Sequence, residues 1–124
     1  EWVIGKINGA VIEALQKNPG KTIADIKIAC LGLAFKPDID DLRESPALKI
    51  TEQLAEKYPN QILAVEPNVE TLPAKLAAKN IRHTKLDKAL EEADVLVVLV
   101  DHKEFKAIQT ASVDAVIVDT KGIL

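Results

Sequence analysis

Val95-Leu96-Val97-Val98-Leu99-Val100 is the stretch on which the fold turns. All six residues are apolar and most are β-branched, with no polar face anywhere in the run. A half-buried strand would alternate apolar and polar residues, so this pattern predicts a strand buried on both faces. Working outward, similar runs recur. Residues 26–33 are interrupted only by Lys27 and Gly32. Residues 62–65 form a second short run, 81–84 a weaker third, and 115–118 a last one after the central stretch at 95–100.

Between the runs the period changes to that of helices. Ser45-Pro46 opens one: serine is a good N-cap and proline is preorganised at the first helical position. Ala47, Ile50 and Leu54 supply its inward face, and Tyr58-Pro59-Asn60 ends it. Helices are predicted over 71–78, 86–93 and 102–108. Ahead of the first strand, Trp2, Val3, Ile7, Ala10, Val11, Ala14 and Leu15 fall at helical spacings over 2–16, up to the breaker Asn18-Pro19-Gly20. Strands alternating with helices predict an α/β domain: a doubly wound, Rossmann-like parallel sheet of five strands, order 3-2-1-4-5, preceded by an N-terminal helix. Ligands in such sheets bind beyond the carboxyl ends of the strands, where the winding reverses. Here that crevice lies between the first and fourth strands, lined by loops 34–44, 101–102 and 119–122.

Length and composition fit one globular domain. The chain has 124 residues, 48% of them hydrophobic and 28% charged, with a net charge of −3. Mild acidity, two arginines (Arg43 and Arg82) and four scattered aromatics argue against a nucleic-acid partner. No apolar run is long enough for a bilayer and no charged-then-apolar leader opens the sequence, so no membrane partner is expected. The single cysteine, Cys30, has no disulfide partner in the chain, which points to a reducing cytoplasm. The chain has no methionine and opens at Glu1, which predicts a piece of a longer protein.

The candidate chemistry gathers in the loop after the first strand. It is long for a strand-to-helix turn, where two to six residues are usual, and it carries an aromatic, two cations and four acids. A dinucleotide fingerprint would require Gly-x-Gly-x-x-Gly here, and only Gly32 is present. Lys36 is placed either to meet a phosphate or sugar oxygen or to stand in solvent. Phe35 either stacks on a base or plugs the sheet edge. Arg43 either forks onto a phosphate or staples the loop through Asp38, Asp40 or Asp41. The pair Asp40-Asp41, with Lys121 after the last strand, matches part of a phospho-acceptor receiver pattern. The third strand, however, ends in Arg82-His83-Thr84 with no acceptor aspartate, and Asp101-His102 replaces the hydroxyl after the fourth. Glu66, at the end of the second strand, either accepts from ribose hydroxyls or caps the Pro67-Asn68 turn at the surface. His83 and His102 stand on separate loops without a cysteine beside them, so no metal is expected. His102 is read as opening the last short helix, and Cys30 as an inert buried thiol.

The loop also carries a resemblance. Gly32-Leu33-Ala34-Phe35-Lys36-Pro37-Asp38-Ile39-Asp40-Asp41-Leu42-Arg43-Glu44-Ser45-Pro46 resembles the signature of the carboxy-terminal, UDP-binding domain of the UDP-glucose/GDP-mannose dehydrogenase family. Val65-Glu66-Pro67, Ala93 to His102 with Phe105, and Asp119-Thr120-Lys121-Gly122 follow in the family's order, with Glu66 where an aspartate is more common. Lys36 to Arg43, taken with Asp101-His102, is most similar to members that oxidise UDP-N-acetylmannosamine; members acting on UDP-glucose more often carry Glu-Trp at 101–102. The resemblance implies an NAD-dependent oxidation of a sugar C6 alcohol to a carboxylate, serving polysaccharide biosynthesis. NAD and the nucleophilic cysteine would belong to an amino-terminal domain of the same parent chain, itself a homo-oligomer. Residues 1–20 would end an interdomain linker helix, and 21–124 would bind the UDP-sugar. Phe35 and Lys36 would contact the UDP-sugar and Arg43 the NAD. Lys121 would stand where an arginine often binds substrate, keeping the charge without the fork. Asp41, Glu44 and Ser45 would shape the loop and cap the helix. The chain alone would be inactive. The alternatives are the carboxy-terminal domain of a member acting on UDP-glucose and a non-catalytic nucleotide-binding or receiver-like module.

Overall fold

The computed structural model describes residues 2–34, 42 and 45–124. Five strands, β1 (Ile28–Leu31), β2 (Ile62–Val65), β3 (Arg82–His83), β4 (Val95–Val98) and β5 (Val116–Asp119), form one sheet. Every neighbouring pair is parallel and the order is β3-β2-β1-β4-β5, as the alternation of strands and helices predicts. The helices are α1 (Trp2–Lys17), α2 (Pro46–Lys57), α3 (Ala74–Ala77), α4 (Leu86–Glu92) and α5 (Lys103–Lys106).

The strand period of two divides the core between the two faces. Ile28, Cys30, Ile62, Ala64, Val95 and Val97 face one side and pack with Ile7, Ala10, Val11 and Ala14 of α1 and Leu54 of α2. Ala29, Leu31, Leu63, Val65, Leu96 and Val98 face the other, against Ala89 of α4 and Phe105 of α5. All four residues of β1, β2 and β4 are buried, whereas the edge strands β3 and β5 are partly exposed. Each fully buried Val, Leu or Ile contributes roughly 1.5–3 kcal/mol. The three central strands are therefore the least replaceable part of the molecule.

Several elements differ from the sequence expectation, each for a local reason. The run at 95–100 pairs as a strand only through Val98. Beyond it the amides of Leu99 and Val100 both donate to the Leu31 carbonyl, at 3.0 and 3.3 Å, which ends the regular ladder. β1 starts at Ile28, because Ile23–Asp25 forms a 3₁₀ turn in which Asp25 Oδ2 accepts from the Thr22 amide and hydroxyl. The helix expected over 71–78 is confined to Ala74–Ala77, with Pro73 as its N-cap. The helix expected over 102–108 is Lys103–Lys106, and β5 runs one residue further, to Asp119. Trp2 does not share the buried stripe of α1. It lies about 140° around the helix from Ile7, is 67% exposed, and carries the Lys6 ammonium 4.5 Å from its ring centroid.

The amino ends of the strands are tied by Asp94, which accepts from Lys21 Nζ at 2.7 Å and the Lys27 amide at 2.9 Å. No helix of the described residues is long and apolar enough to cross a membrane.

Candidate functional site

The carboxyl ends of β1, β2 and β4 meet at the switch point. β1 leaves the sheet through Gly32, whose φ is +99° and whose amide donates to the Val65 carbonyl at 2.8 Å. A Cβ on residue 32 would lie 2.6 Å from Val100 Cβ and 3.0 Å from the Val100 amide nitrogen. The missing side chain thus admits the β4 extension. It opens no cradle for a pyrophosphate, and the turn does not fit a dinucleotide.

The next two amides converge on one carboxylate oxygen. Leu33 and Ala34 donate to Glu66 Oε1 at 2.9 and 3.0 Å, and His102 Nε2 lies 2.9 Å from the same oxygen. Glu66 Oε2 accepts from the Asn68 amide at 3.0 Å and its side-chain nitrogen at 3.3 Å. That nitrogen also stands 3.4 Å from His102 Nδ1, so a donor at His102 Nε2 and an acceptor at Nδ1 satisfy both of these contacts. Both side chains are wholly buried. Burial pushes the Glu66 carboxyl upward. The hydrogen bonds from His102, Leu33 and Asn68 outweigh it and hold the group below the usual glutamate range. Glu66 does meet the Pro67-Asn68 turn, but from the interior, not as a surface acid. Its oxygens are committed to protein donors, not available to a ribose. Sequence reasoning missed the pairing with His102. The signal available was that both residues follow central strands of one parallel sheet.

Between the ends of β1 and β4 lies a cleft of about 80 Å³, lined by Ala34, Pro46, Ala47, Leu99, Val100, Asp101 and Lys121. Lys121 is thus at the crevice, its amide turned to Asp119 Oδ1 at 3.1 Å. Ser45 is fully buried and is the N-cap of α2. Its hydroxyl accepts from the Leu48 amide and donates to the Ala34 carbonyl, both at 3.3 Å, so it links the start of α2 to the end of β1. The amino end of α2 therefore borders the cleft, with its partial positive charge. Phe35, Lys36, Asp38, Asp40, Asp41, Arg43 and Glu44 lie outside the described residues. A larger cleft of about 570 Å³ opens beyond Glu66, at the ends of β2 and β3. Glu66, Glu70 and Glu104 line it against Lys85, a balance unsuited to a diphosphate.

Other candidates stand apart. His83 is on β3 beside Ala64, where it lines the larger cleft and not the smaller one. Among the described residues no three His, Cys, Asp or Glu side chains are grouped to hold a metal. Cys30 is fully buried mid-sheet, and burial pushes its thiol up to about 12. At pH 8 roughly one molecule in ten thousand would carry the thiolate. A thiol-specific chromogenic reagent should leave the native chain unlabelled over an hour and modify one group once urea unfolds it; fast native labelling would contradict the buried placement.

The model of the UDP-glucose/GDP-mannose dehydrogenase family, UDP binding domain, matches residues 29–124. The chain belongs to this family. The matched span takes in β2 to β5, all of β1 but Ile28, and the whole switch point. A UDP-N-acetyl-D-mannosamine dehydrogenase from Yersinia pestis is 49% identical over 124 residues, 98% of this chain and 29% of that protein. One from Campylobacter jejuni is 57% identical over 104 residues, 83% of this chain and 25% of that protein. The solved structure of a UDP-D-ManNAc dehydrogenase from Pyrococcus horikoshii superposes with a TM-score of 0.69 at 32% identity, covering 94% of this chain and 26% of that one. This UDP binding domain thus spans less than a third of the length of the curated relatives it matches.

Proposed function

We propose that this chain is the UDP-sugar-binding domain of an NAD-dependent nucleotide-sugar 6-dehydrogenase that oxidises UDP-N-acetylmannosamine to the corresponding uronate. The observation that carries the reading is the family match across the switch point, joined to a crevice bordered by Lys121 and the amino end of α2. Both features favour a diphosphate. In this reading Phe35, Lys36 and Lys121 hold the UDP-sugar and Arg43 reaches NAD. Residues 1–20 end the helix leading from an amino-terminal domain that supplies the NAD site and the nucleophilic cysteine. Cys30 is too buried for that role, and the Gly32 turn does not fit a dinucleotide. The parent is a homo-oligomer working in the reducing cytoplasm, and its uronate serves polysaccharide synthesis.

Titration of the purified chain with UDP by calorimetry and amide NMR tests the site. Shifts should centre on Ala34, Asp101 and Lys121, and Lys121→Ala should weaken binding about five- to tenfold, the value of one charge-assisted contact near solvent. UDP binding that ignores Lys121, or shifts confined to the larger cleft beyond Glu66, would relocate the site. The chain alone, given NAD and UDP-N-acetylmannosamine, should form no NADH.

A further inference from the structure

We propose that Glu66 and His102 are positioning residues that fix the width of the nucleotide crevice, a role that rests on the switch-point reading above. The two walls of the crevice belong to different strands. Ala34 continues β1 and Asp101 continues β4. Nothing in the strand ladder joins them at that level, since the regular β1–β4 pairing ends at Leu31 and Val98. One oxygen does. Glu66 Oε1 takes the Ala34 amide at 3.0 Å on one wall and His102 Nε2, on the residue next to Asp101, at 2.9 Å on the other.

Stability alone does not account for a carboxylate here. A fully buried charge incurs a desolvation penalty of several kcal/mol, and well-packed apolar side chains of similar volume often serve a core as well or better. What the carboxylate adds is direction: its two oxygens fix five donors at distances between 2.9 and 3.3 Å. Side chains that hold a binding constellation in register are commonly fixed by such an outer layer of hydrogen bonds. His102 also has a ready alternative that it does not take. It is the N-cap residue of α5, yet its side chain makes no cap hydrogen bond and turns inward to Glu66.

The test separates positioning from simple support of the fold. His102→Phe keeps a ring of similar shape beside Phe105, which lies 5.4 Å away, and removes the donor. His102→Gln restores a side-chain N–H of comparable reach. At a temperature where all three proteins are folded by circular dichroism, UDP affinity is measured by calorimetry, and the amide resonances of Leu33, Ala34 and Asp101 are followed by NMR. We expect His102→Phe to lose about tenfold in UDP affinity and to shift all three amides. His102→Gln should return affinity to within about threefold of the parent. A folded His102→Phe protein with parental affinity overturns the proposal, as does a His102→Gln protein as weak as the phenylalanine variant. Where His102→Phe does not fold, Glu66→Gln takes its place under the same readouts. If the parent itself fails to bind UDP, the nucleotide reading falls, and the amides still decide the clamp: an unmoved Ala34 signal refutes it, and coupled shifts of Ala34 and Asp101 sustain it.

Discussion

Glu66→Leu is expected to lower the free energy of unfolding by about 3–5 kcal/mol at neutral pH, a large part of the 5–15 kcal/mol typical of a domain. The substitution strands the amides of Leu33, Ala34 and Asn68 and the Nε2 of His102, all of which now donate to the carboxylate. Each buried donor left without a partner costs roughly 1–3 kcal/mol. The leucine recovers part of this through its apolar burial and through loss of the carboxylate's desolvation penalty, which keeps the net below the simple sum. Acid should narrow the gap between the two proteins. Native hydrogen bonds hold the Glu66 carboxyl below its ordinary value of 4.5. Its contribution is therefore fully present above that value and is lost as pH falls through the lower, native one. Urea melts of parent and variant should differ most near pH 7, and the difference should shrink in strong acid. A gap that is unchanged at low pH, or smaller than about 1 kcal/mol at neutrality, would show that the network is not a charged one of this strength.

Much of this architecture could be read from the chain. Apolar runs a few residues long, punctuated by Ser45-Pro46 and Asn18-Pro19-Gly20, set the alternation of strands and helices, and the handedness of crossovers then leaves few orders for five strands. The place of the crevice follows from that order. The Glu66–His102 pair does not, because its members are 36 residues apart and no helical or strand period links them. Sequence gave each a sensible local role, a turn cap and a helix opener. Both residues do sit at those places, with Asn68 accepted by Glu66 and α5 beginning after His102. What could not be read is that parallel register brings the two positions together beneath β1. Trp2 shows the opposite error: its hydrophobicity suggested burial, and its angular position on α1 forbids it. The residues that the family resemblance singles out most strongly, Phe35, Lys36 and Arg43, rest on motif alone. Lys121 has a place on the crevice wall as well.

The second large effect is expected at Gly32, where the requirement is for absence of a side chain. Gly32→Ala should destabilise the domain by about 2–6 kcal/mol, through two additive costs. The backbone at φ +99° lies where an L-residue with a Cβ is strained by roughly 1–3 kcal/mol. The new methyl must also displace Val100, whose Cβ would lie 2.6 Å and Cγ2 2.9 Å away. Overpacking of this kind costs about 1–3 kcal/mol. The two costs can be separated experimentally. Val100→Ala removes Cγ2 but leaves the 2.6 Å contact with Cβ and the 3.0 Å contact with the amide nitrogen, so it should not rescue Gly32→Ala. Val100→Gly removes the Cβ as well and should recover only the side-chain part of the packing share, because the φ strain and the 3.0 Å approach to the backbone nitrogen remain. Full recovery in that double variant would mean that φ carries no penalty, and no loss in the single variant would mean that β1 leaves the sheet by another path. Val100 and Ala34 both line the crevice, so a folded Gly32→Ala protein should also bind UDP more weakly than the parent at equal folded concentration. The turn that admits the end of β4 against β1 is thereby the same one that shapes the proposed ligand site, and stability and binding should fall together.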